Sequence, residues 1–71
     1  MESTMTAKQH RLAKGLTIRE LAEQAEVSTQ TVVSIEKGKR ARIASFKAIA
    51  AVLGVDLMEI REYRDAVLTG E

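Results

Sequence analysis

Apolar residues recur along this chain in three- and four-residue steps. Leu12 leads to Leu16; Leu21 and Ala22 lead to Ala25; Val32 leads to Ile35; Phe46 leads to Ile49, Ala50 and Leu53; Leu57 leads to Ile60. That spacing is helical, and no stretch alternates as a half-buried strand would. Gly15, Gly38 and Gly54 each follow a periodic segment, where a left-handed residue closes a helix. Thr17 with Glu20, and Asp56 with Glu59, have the spacing of reciprocal N-terminal caps, and Ser28 can cap a further helix. Five short helices are expected, at about residues 6–14, 18–25, 29–37, 44–53 and 57–67. The inward positions are Leu12, Leu16, Leu21, Ala22, Ala25, Val27, Val32, Ile35, Phe46, Ile49, Ala50, Leu53, Val55, Leu57 and Ile60.

The fold class is therefore all-α, a compact bundle of about five short helices. At 71 residues the chain is expected to form one domain, 1–71, with a core at about 6–61 and residues 62–71 as a C-terminal helix extension or tail. Phe46 and Tyr63 are the two aromatic residues and there is no cysteine, so neither a disulfide nor a thiolate metal site reinforces a thin core. No apolar run approaches the roughly 20 residues that span a bilayer, and the first six residues are short and polar. A cytoplasmic protein without membrane contact is expected.

Charge sharpens the picture. The net charge is +1, but residues 1–55 carry a balance of +4 and residues 56–71 a balance of −3. A basic body with an acidic tail can turn a cationic face to a polyanion. Four cations, Lys37, Lys39, Arg40 and Arg42, fall within six residues directly after the third expected helix. Such a cluster suits phosphate oxygens.

The stretch 16–38 carries the function. Two short helices flank Glu26, Val27 and Ser28, and a turn of that length sets helices at a steep angle. Ala22 suits the crossing, and Val27 the corner beneath the turn. Val32 and Ile35 anchor the second helix of the pair to the core, which turns Thr29, Gln30, Val33, Ser34 and Lys37 outward. An exposed face of hydroxyls, an amide and a valine is unusual, since solvated helix surfaces favour Lys and Glu and these residues are weaker helix formers. Glutamine can pair bidentately with adenine, serine and threonine with several bases, and an exposed valine can meet a thymine methyl. Helix N-termini at Thr17, Ser28 and Ser45 add main-chain amides that suit phosphate. No nucleophile with base and orienting group, phosphate-cradling glycine loop or metal-ligand spacing stands out, so an enzyme, a cofactor and a small-molecule ligand are not expected. His10 reads as a half-buried packing residue, and Glu20 and Glu23 as surface and capping residues.

Residues 17–38 (TIRELAEQAEVSTQTVVSIEKG), the 14–17 approach KGLT and the 51–56 segment AVLGVD resemble the helix-turn-helix of the Cro and phage-repressor (XRE-like) family, from about Ala7 to Ile60. The resemblance implies a lambda-repressor-like DNA-binding domain, with expected helices two and three as the helix-turn-helix. It implies that Thr29, Gln30 and Ser34 read bases, and the outward Val33 is expected to join them. Arg11, Thr17, Arg19, Ser28, Lys37, Lys39, Arg40 and Arg42 would hold phosphate. Arg11 and Glu36 match an interhelical ion pair. Two positions depart from the family pattern: Ile18 stands where a phosphate-contacting glutamine is usual, exposing an apolar group, and Glu26 stands where the turn usually has glycine.

The expected function is a bacterial or phage-encoded, nucleoid-associated transcriptional regulator, a repressor in the first instance. It would bind double-stranded DNA as a homodimer on an inverted repeat, placing the helix at 28–37 in the major groove. The expected dimer surface comprises Leu57, Met58, Tyr63, Val67 and Leu68, with Met5 nearby and a stripe running through Leu57, Ile60, Arg64 and Leu68. The alternative is a protein-interaction module, an antitoxin or adaptor component, in which DNA binding is secondary. The resemblance fits both a complete Cro-like regulator and the N-terminal domain of a longer repressor.

Overall fold

The computed structural model describes residues 4–68. The last three residues of the expected C-terminal extension, Glu71 among them, lie outside these. Five α-helices follow in order: α1 (Ala7–Ala13), α2 (Ile18–Ala25), α3 (Thr29–Glu36), α4 (Ile43–Leu53) and α5 (Arg61–Leu68), with a single 3-10 turn at Leu57–Glu59 before α5. Among the described residues there is no strand.

Local chemistry starts the helices. Thr17 and Glu20 cap each other across the first turn of α2, at 3.0 and 2.9 Å. The Asp56 amide donates to Glu59 Oε2 at 3.0 Å. An equivalent pair that the sequence reading overlooked, Thr6 with Gln9, opens α1 at 3.1 and 2.8 Å. Each such pair satisfies amides that have no partner within the helix.

One closing device ends the first four helices. The amides of Leu16, Val27, Lys39 and Val55 each donate back five residues, to the carbonyls of Arg11, Ala22, Ser34 and Ala50. In each case the preceding residue is left-handed: Gly15, Glu26, Gly38 or Gly54. This is the Schellman closure, and three of its four left-handed positions are glycine. Glu26, at φ 59°, is the exception and carries the steric cost of a Cβ, about 1 kcal/mol.

The core gathers Leu21, Ala22, Ala25, Val32, Ile35, Phe46, Ile49, Ala50, Leu53 and Ile60 as expected. Leu16, Val27, Val55 and Leu57 pack against it half-buried. α2 lies at the centre, packed on α3 and α4.

Three expectations are corrected. Leu12 is 56% exposed, not inward. α1 turns Ala7 and Arg11, four residues apart, into the protein, and Leu12 lies about 100° further round the helix. Ile18 is half-buried against the core, so it does not offer a free apolar group. The fifth helix is not continuous from residue 57. Ile60 adopts an extended conformation, φ −99° and ψ 116°, as its side chain enters the core. The stripe through Leu57, Ile60, Arg64 and Leu68 is therefore absent, and Leu57 and Met58 share no helix face with Val67 and Leu68.

A clamp that the sequence did not reveal ties α1 to the C-terminal part. The Arg61 amide donates to the Met5 carbonyl at 3.0 Å, and the Ala7 amide to Glu62 Oε1 at 2.8 Å. Arg64 donates to the Thr4 hydroxyl at 2.5 Å. His10 is half-buried, and its Nε2 donates to the Glu59 carbonyl at 2.6 Å.

Candidate nucleic-acid interface

The left-handed Glu26 and the half-buried Val27 turn the chain between α2 and α3. Ser28 then starts α3: its backbone is extended, and its Oγ accepts from the Thr31 amide at 3.1 Å. Within α3, Val32 and Ile35 point inward and are almost wholly buried. The opposite face is fixed by subtraction. Thr29, Gln30 and Lys37 are exposed on it, while Val33 and Ser34, a turn further along, are only half-buried. Val33 is thus less open than the sequence suggested. The resulting face offers a hydroxyl and an amide at its N-terminal end, with Val33 and Ser34 behind them.

The next residues form a cationic rim. Gly38, at φ 78°, reverses the backbone so that the Lys39 amide returns to the Ser34 carbonyl at 2.9 Å. Lys37, Lys39, Arg40 and Arg42 are all exposed, and among the described residues none of the four makes an ion pair. Unpaired cations beside a polar helix face leave their charge available to an anion.

Arg19, on the first turn of α2, approaches Glu23 at 3.6 Å with both side chains largely exposed. Surface pairs of this kind contribute little, so Arg19 is not immobilised. The Thr17 and Ser28 hydroxyls serve their own helix starts, but each retains a proton donor or lone pair for an outside group. Ser45 differs from expectation: α4 is preceded by Arg42, and Ser45 lies inside its first turn. That N-terminus has no side-chain cap.

Arg11 is buried. Its Nε and Nη2 donate to the two carboxylate oxygens of Glu36 at 2.7 and 3.3 Å, and Nη1 donates to the Leu16 carbonyl at 2.8 Å. The expected interhelical ion pair is present. Each nitrogen of the guanidinium already has a partner within the protein and the side chain is 7% exposed, so little of it faces outward.

Among the described residues there is no cluster of His, Cys, Asp or Glu able to hold a metal, and no helix long and apolar enough to cross a membrane. The arrangement offers hydrogen-bond donors and acceptors inside a positive rim, which is chemistry for binding. Neither the curated proteins nor the solved structures contain a significant match to the chain. The helix-turn-helix family model HTH_3 matches residues 8–65, which takes in most of α1, all of α2 to α4 and most of α5. A match over that share of the chain, together with the α2–turn–α3 geometry, places the protein in the HTH_3 helix-turn-helix family of XRE-like DNA-binding domains.

Proposed function

We propose that the protein is a sequence-specific regulator of transcription that binds double-stranded DNA as a homodimer on an inverted repeat and represses by occupying its site. α3 enters the major groove. Thr29 and Gln30 meet base edges at its N-terminal end, while Val33 and Ser34 complete the contact one turn on. Lys37, Lys39 and Arg42 hold the flanking phosphates, with Arg19 and the α2 and α3 N-termini at Thr17 and Ser28 on the other side. Arg11 keeps a structural role through Glu36.

The observation that carries this reading is the outward face of α3. It is polar and uncharged where bases would lie, and it is bordered by exposed cations that make no ion pair among the described residues. A monomer with few contacts has limited affinity, and pairing two half-sites about 34 Å apart multiplies it.

Selection of bound duplexes from a random pool tests the proposal. The expected result is an enriched site with two-fold symmetry. Recovery of unenriched sequence, with binding that depends on salt alone, would overturn base reading.

A further inference from the structure

A groove of about 660 Å³ lies between the loop after α3, the start of α4 and α5. Its floor is Phe46, met edge-on by Tyr63 with ring centroids 5.3 Å apart. Ile43 and Val67 line it and are 57% and 47% exposed, a large apolar exposure for a chain with so few big side chains. Charges of opposite sign flank this apolar strip: Lys39 and Arg40 on the loop, Glu62 and Asp65 on α5.

That pattern selects its occupant. A DNA backbone is uniformly anionic and is repelled by the α5 side. A patch holding both signs on either side of an apolar strip is complementary to itself, because a two-fold rotation brings each sign against its opposite. Glu62 is already engaged with the Ala7 amide, whereas Asp65 has an exposed ion pair with Arg61 at 3.8 Å, a weak tie. Asp65 is therefore the carboxylate free to cross an interface.

We infer that this groove receives a second copy of the chain, with Arg40 of each copy paired to Asp65 of the other and Ile43 and Val67 buried between them. The inference deepens the homodimer proposed above and rests on it for its link to DNA. It replaces Leu57 and Met58 as the centre of the dimer surface and retains Tyr63 and Val67. Because the groove begins at Gly38, two residues beyond α3, the two recognition helices flank the two-fold axis.

Sedimentation equilibrium over a range of concentrations tests the pairing, with circular dichroism confirming that each variant folds. Asp65→Arg is expected to weaken self-association about tenfold or more, and the charge swap Arg40→Asp with Asp65→Arg to restore most of it. Val67→Glu is expected to leave a monomer. A wild-type chain that stays monomeric at every concentration, or variants that associate like wild type, would overturn the inference. A DNA arm separates the two readings. Val67→Ser is expected to bind a half-site duplex as wild type does and to lose cooperativity on the full repeat. If the chain pairs as described yet binds no duplex, pairing stands and groove reading falls; if it binds a half-site but never pairs, the pairing falls alone.

Discussion

Arg11 of α1 and Glu36 at the end of α3 meet in a two-pronged ion pair, Nε to Oε2 at 2.7 Å, with both side chains less than a tenth exposed. The third nitrogen of Arg11 holds the Leu16 carbonyl at 2.8 Å. One side chain thus fixes α1, the α1–α2 connection near its end and the far end of α3.

Removing one partner of this pair leaves a buried charge unmatched. Glu36→Gln and Arg11→Met are each expected to cost about 3–5 kcal/mol, a large fraction of the stability of so small a domain. The joint replacement Arg11→Met with Glu36→Leu is expected to recover much of the loss. Urea unfolding followed by circular dichroism measures all three. Equal stability of single and double variants would show that the charges are not coupled.

Glu26 carries a left-handed backbone that L side chains avoid. Asparagine tolerates that region better, so Glu26→Asn is expected to raise stability by a few tenths to about 1 kcal/mol. It also removes a negative charge beside the proposed DNA face, so affinity for any duplex is expected to rise. A lower melting temperature would contradict the first expectation.

Gln30 stands exposed at the start of α3. Gln30→Ala is expected to cost roughly 1–3 kcal/mol on the selected site and to relax base preference at one position. Competition between the selected duplex and single-base variants provides the measurement, and undiminished discrimination at every position would exclude Gln30 from base reading.

Arg42 precedes α4 without capping it through its side chain. Its loss is therefore expected to spare the fold. Arg42→Ala is expected to weaken all sequences alike and to lower the slope of log affinity against log salt by about one. A sequence-dependent loss would move Arg42 from phosphate to base contact.

Leu12 and Ile60 make opposite predictions from similar side chains. Leu12→Lys, at an exposed position, is expected to shift stability within about 0.5 kcal/mol. Ile60→Ala, at a wholly buried one, is expected to cost about 2–5 kcal/mol. Parallel denaturant titrations compare them, and a large loss at Leu12 would reverse the assigned rotation of α1.

What the amino-acid sequence determined by itself was local. Thr17 with Glu20, Ser28 before Thr29, and glycines at 15, 38 and 54 mark helix starts and ends through bonds spanning three to five residues, so they are legible wherever the chain is read. The pairing of Val32 with Ile35 set which face of α3 looks outward, because the helical repeat alone decides it. What only tertiary structure decided depended on competition for the core. Ala7 and Arg11 took the inward side of α1 from Leu12, since the buried Glu36 carboxylate rewards an arginine there more than a leucine. Ile60 broke the final helix to reach the core, and the clamp from Thr4, Met5 and Ala7 to α5 joined segments more than 50 residues apart. No periodicity encodes such contacts, because they exist only once separate elements occupy one volume.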